Sequence, residues 1–111
     1  MNLEKELFKK HLHGQEKYHA FSFLKDGRTM SKETIEELVD GINYLIYQLI
    51  KDRYSKKELL AVSKLGEQGV EQLNEIYKEL IKTIPKMSAR SENVTIRVIA
   101  RMRDLIKMLS K

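Results

Sequence analysis

The 111 residues predict an all-α domain, a four-helix bundle-like fold, and three features of the sequence carry that expectation. Apolar residues recur with a 3.6 period over long stretches, as they do on the buried face of an amphipathic helix. Leu, Ile, Lys and Glu dominate, with one Pro and five Gly, a composition suited to helices. The segments between the periodic stretches are short, which favours neighbouring helices packed side by side. A chain this long forms one domain (1–111) and buries roughly two-thirds of its unfolded surface when compact.

The first helix is expected from about Asn2 to His13, with Leu3, Leu7, Phe8 and Leu12 on one side and Gly14 as its stop. The following segment, GQEKYHAFSFLKDGRTM, shows no period and ends on the turn signal KDGR; an ordered loop with its aromatics tucked inward is expected there. Ser31 is placed to cap a second helix that runs to about Arg53. Ser55 and Glu58 form a capping box that opens a third helix, whose core face runs from Leu59 to Ile84 before Pro85 ends it. Gly66 and Gly69 weaken its middle by about 1 kcal/mol each relative to Ala, and they suit a kink or a close helix crossing. A fourth helix is expected from about Glu92 to Leu109.

The chain has no cysteine, which excludes disulfides, thiolate metal sites and cysteine nucleophiles. No apolar run approaches the roughly 18 residues of a membrane span, and the first residues lack the apolar stretch of a signal peptide, so a cytoplasmic protein without a membrane partner is the expectation. The net charge of +5 favours an anionic partner: a nucleotide, a nucleic acid or an acidic protein.

The second helix holds the chemistry. Glu36, Asp40, Asn43 and Tyr47 share a stripe, and Glu37 lies one turn before Asp40 on its edge. Two carboxylates at i, i+3 can reach one Mg²⁺, a hard ion that takes oxygen ligands and leaves room for substrate phosphates. The plainer alternative is a solvated helix face whose acids complement the N-terminal dipole. His11, His13 and His19 surround Glu16, and His-x-x-Glu is a transition-metal spacing, but no second such pair follows. Polar surface or a hydrogen bond to a phosphate suits these imidazoles better. Lys17 is a candidate phosphate contact, and Tyr18 either stacks on a base or fills the core; Phe21, Phe23 and Tyr44 are expected in the core.

GQEKYHAFSFL at 14–24 followed by EELVDGINYLIYQLI at 36–50 resembles the small phage and bacterial proteins related to MazG, the all-α nucleotide pyrophosphohydrolases. The resemblance covers about residues 9–52, carried by the Gly-x-Glu-Lys-Tyr loop and the Glu-Glu-x-x-Asp helix that continues into Asn-Tyr-Leu. It implies Mg²⁺-dependent release of pyrophosphate from a nucleoside triphosphate. Its metal ligands would be Glu16, Glu37 and Asp40, with Glu36 as the water-orienting base and Lys17, Tyr18 and Asn43 as nucleotide contacts. Such enzymes carry a Glu-x-x-Glu pair upstream of the Glu-x-x-Asp pair, and here the residue three before Glu16 is His13. That departure leaves open a second function, sequestration of a nucleotide signal without cleavage. A third, a helical adaptor for nucleic acid or protein, rests on net charge. A homo-oligomer, dimer or tetramer, is expected from the apolar faces and from the way small relatives complete their sites.

The later half carries an acidic stripe, Glu67, Glu71, Glu75 and Glu79, and a basic one, with Arg97 and Arg101 a turn apart. Pairing between the Glu71–Glu75 stripe and Arg97 with Arg101 is expected, against the alternative that these arginines meet phosphates. Met102 and Met108 are expected to pack.

Overall fold

The computed structural model describes residues 1–18 and 29–111, with only the backbone described for 15–18. Among these residues every regular element is a helix: α1 (Leu3–Tyr18), α2 (Met30–Arg53), α3 (Lys56–Ser63), α4 (Glu67–Thr83), a single 3₁₀ turn (Ile84–Lys86) and α5 (Val94–Leu109). No described helix is long and apolar enough to cross a membrane.

α2 is the central element, packed against α5 along its later half and against α4, while α3 folds back on α4. The core is small. Ile46, Leu49 and Ile50 of α2 meet Ile99 and Ala100 of α5 and Met87 from the connection before it. Ile76, Tyr77 and Leu80 of α4 and Leu59 of α3 close its other side. α1 makes no comparable packing with the other described elements, and its stripe of Leu3, Leu7, Phe8 and Leu12 is exposed.

Several expected boundaries move, each for a local reason. Gly14 does not end α1, which continues through it to Tyr18; an interior glycine costs a helix only about 1 kcal/mol. Part of the expected loop is therefore helical, and its remainder, with Phe21 and Phe23, lies outside the described residues. α2 begins before Ser31, with Thr29 at the N-cap. The capping box stands as expected: Glu58 N–H donates to Ser55 Oγ at 3.1 Å, and Ser55 N–H to Glu58 Oε1 at 3.4 Å.

The single third helix becomes two. Gly66 takes φ +62°, ψ −127°, open to glycine alone, and turns the chain between α3 and α4. Gly69 is buried where α4 crosses α3: a Cβ there would fall on the carbonyl oxygen of Val62. One glycine makes the turn and the other admits the crossing. Pro85 sits in the 3₁₀ turn that follows α4. Asn93 caps α5, its side-chain oxygen accepting from Ile96 N–H at 3.1 Å.

Two expectations about packing are overturned. Tyr44 is 73% exposed, because the α2 face that meets α5 and α4 passes through Ile42, Ile46, Leu49 and Ile50 and leaves position 44 on the outside. Met102 packs against Gly41, but Met108, one to two turns on, is 67% exposed.

Candidate functional site

α2 carries its polar stripe in two parts with different surroundings. Glu36, Glu37 and Asp40 lie on the first half of the helix, exposed, and form no ion pair among the described residues. Asn43 and Tyr47, one and two turns on, reach the crossing with α4. There Tyr77 Oη donates to Asn43 Oδ1 at 2.5 Å, and Asn43 Nδ2 donates to Tyr47 Oη at 3.1 Å. The two tyrosine rings stand 6.0 Å apart at 43°. An amide has two donor hydrogens and two acceptor lone pairs, so Asn43 keeps one of each for a ligand while tying α2 to α4.

This row of three polar side chains separates two hollows. One, of about 500 Å³, lies between α2, α3 and α4 and is lined by Asn43, Tyr47, Ile50, Lys51, Leu59, Leu73, Asn74 and Tyr77. Its walls are apolar and aromatic, with two amides and one ammonium for orientation, the usual make-up of a small-molecule site. The other, of about 390 Å³, is lined by Val39, Asp40, Ile42, Asn43, Ile46, Tyr77, Ile81 and Ile84. Asp40 alone of the three acids borders it. Asn43 and Tyr77 belong to both.

Of the expected metal ligands, Glu37 and Asp40 are a turn apart on one helix, as predicted. Glu16 lies on α1, with its side chain, like those of Lys17 and Tyr18, outside the description. Among the described residues no group of three or more His, Cys, Asp or Glu side chains is placed to hold a metal. His11 and His13 are exposed on α1, His11 lying against the Phe8 ring at 6.1 Å; His19 lies outside the described residues.

Tyr77, Asn74, Leu73 and Lys51 line the larger hollow and were not singled out by sequence reasoning. Tyr77 carried a usable signal, since a tyrosine on a core face needs a partner for its hydroxyl. Nothing local marks the α4 face as the one opposite Asn43.

The expected pairing of the acidic stripe with α5 does not occur among the described residues. Glu75 pairs with Lys78 at 3.6 Å and Glu79 with Lys82 at 3.4 Å, within α4 itself. α4 crosses α2, so its acids find cations one turn away on their own helix. The arginine that binds internally is Arg103, 18% exposed. It donates from Nη1 to the carbonyls of Ile84 at 2.8 Å and Met87 at 2.7 Å, and from Nε to Asp104 at 3.0 Å.

Compared with known proteins, the chain matches no family model, no curated protein and no solved structure.

Proposed function

We propose that the chain is a MazG-like nucleotide-binding protein that seats its ligand along α2, phosphates toward Glu37 and Asp40 and base toward the tyrosines. The observation that carries this reading is the junction at Asn43. One helix presents two exposed carboxylates free of cationic partners among the described residues, and one turn on it enters an apolar, aromatic hollow with unused amide capacity. Glu37 and Asp40 suit Mg²⁺, which takes one or two carboxylates from a protein and fills its remaining positions with water and phosphate oxygens. Bound there, the ion supplies neutralisation of phosphate charge and acidification of a water. Tyr47 and Tyr77 offer ring faces for a base, Asn43 and Asn74 offer amides to its edge, and Lys51 offers a cation. Glu36, one turn before Asp40, is the group to orient and deprotonate a water for release of pyrophosphate from a triphosphate.

Sequestration without cleavage is supported by the donor count. The α2 stripe carries Glu36, Glu37 and Asp40, and on α1 His13 stands where the resemblance calls for a further acid. A panel of nucleotides incubated with the protein and Mg²⁺, followed by chemical analysis of what is bound and what is released, separates the two. Monophosphate and pyrophosphate from a triphosphate establish hydrolysis. Intact nucleotide recovered after heat denaturation establishes storage. Absence of both binding and turnover across the panel refutes the nucleotide reading. His13→Glu, restoring the acidic pair, is expected to raise Mg²⁺-dependent turnover, and no gain removes the alignment of Glu16.

A further inference from the structure

α5 has two apolar faces, and the fold uses one. Ile96, Ile99 and Ala100 pack into the core, Met102 lies on Gly41, and Arg103 holds the carbonyls of Ile84 and Met87. On the outside, Val94, Val98, Arg101, Leu105 and Met108 follow one another at spacings of four, three, four and three, and all are exposed. That alternation is the a/d seam of a coiled coil, carried here through two full heptads.

The apolar side chains of this outer face stand well out from the fold: Val94 is 59% exposed, Leu105 46% and Met108 67%, a contiguous apolar patch of the kind that marks a protein contact.

We propose that a second copy of this chain covers the outer face of α5, the two α5 helices packing antiparallel. Arg101 sets the direction. A parallel pair would place it in one layer with Arg101 of the second copy, two guanidinium groups facing each other in an apolar seam. Antiparallel packing matches a positions to d positions, so Arg101 lies across from Leu105 of the second copy. Its guanidinium then reaches Asp104 of that copy, on the flank of the seam. Asp104 is half-exposed, and its Oδ1 is the atom engaged by Arg103 within the chain, which leaves the other oxygen for an intermolecular partner. This inference is independent of the nucleotide reading.

Sedimentation equilibrium of the full chain at micromolar concentration is expected to give twice the 13.1 kDa of the monomer, and Val98→Asp with Leu105→Asp is expected to halve that mass with helical content unchanged. A monomeric parent protein overturns the proposal, as does a dimer that survives the double substitution, which would assign the interface to another face such as α1. Because the chain lacks cysteine, orientation is read by cross-linking, which also tests the seam where the aspartate variant fails to fold. In the antiparallel register position 98 faces position 108, so Val98→Cys mixed with Met108→Cys is expected to give the mixed disulfide. Val98→Cys alone stays unlinked, its two thiols separated by about 15 Å along the helix axis. A Val98→Cys homodimer as the main product means a parallel seam and overturns the arrangement.

Discussion

The hydroxyl of Tyr77 donates to the side-chain oxygen of Asn43 at 2.5 Å and joins helices 34 residues apart in sequence. The bond is half-buried and holds α4 against α2 at the point where the two hollows meet. Tyr77→Phe keeps the ring and leaves the Asn43 oxygen without this donor. The expected loss is about 1 kcal/mol in a denaturant titration. Tyr47→Phe removes an acceptor at a more exposed position and is expected to cost less. In a double-mutant cycle, Asn43→Ala is expected to cost less in the Tyr77→Phe background than alone, because the bond is already gone. Equal costs in both backgrounds would mean that the two side chains are not coupled.

The glycines at the α3–α4 corner make a graded prediction. Gly69→Ala drives a Cβ onto the Val62 carbonyl oxygen, part of the backbone of the facing helix, so α3 and α4 must separate. Gly66→Ala meets open space but a forbidden φ/ψ, which costs about 1–3 kcal/mol. Gly41→Ala meets only the terminal methyl of Met102, a flexible group that can turn aside. Its gain in helix propensity, about 1 kcal/mol, offsets that displacement. Thermal melts should rank Gly69→Ala lowest and Gly41→Ala near the parent protein. A Gly69→Ala variant melting with the parent would show that the crossing is looser than its geometry.

The same corner shows what local sequence could and could not specify. The helical class, the Ser55 capping box and the later half of α2 follow from periodicity and capping chemistry, which act within a few residues. Gly66 and Gly69 were visible as weak points, but choosing between a kinked helix and two helices depends on how α4 crosses α3. The carboxylate stripe on α2 is likewise local, set by the helical repeat. Its continuation into a hollow depends on Tyr77 and Asn74, brought there by tertiary packing that no spacing encodes. The α4–α5 charge pairing failed for this reason too: complementary stripes are a property of each helix, and which helices are neighbours is not.

Arg103 and its neighbours on α5 offer a contrast in one helix. The Arg103 guanidinium satisfies two backbone carbonyls at the end of α4 and the turn after it, in a half-buried position. Arg103→Met keeps most of the packing volume and removes the donors, with an expected loss of about 2–3 kcal/mol. Lysine is expected to recover only part of it, since one ammonium replaces a planar fork. Arg97→Ala with Arg101→Ala is expected to leave the stability of the monomeric fold within about 0.5 kcal/mol, as for surface changes generally. Measured in the Val98→Asp, Leu105→Asp background, where dimerisation is removed, a loss above that of Arg103→Met would place a strong partner on these arginines.

Asp40 is the acid whose replacement tests metal binding and charge crowding together. It lies three residues from Glu37 and four from Glu36, so it faces like charges at both helical spacings, each unfavourable by about 0.2–0.5 kcal/mol. It also sits well past the first turn of α2 (Met30–Arg53), beyond the reach of the N-terminal dipole that favours Glu33. Asp40→Asn therefore removes repulsion without losing a compensating attraction, and the two residues differ little in helix propensity. The metal-free variant is expected to melt slightly above the parent, by an amount that shrinks as salt screens the exposed charges. Millimolar Mg²⁺ should reverse the order: the parent gains stability by binding the ion in its folded state, and the variant, short of one carboxylate, gains little. Melting curves of both proteins, with and without Mg²⁺, supply the four quantities needed. A variant that melts lower without metal would contradict the repulsion account. An equal Mg²⁺ shift in both proteins would remove Asp40 from the metal site and, with it, the phosphate end of the proposed nucleotide seat.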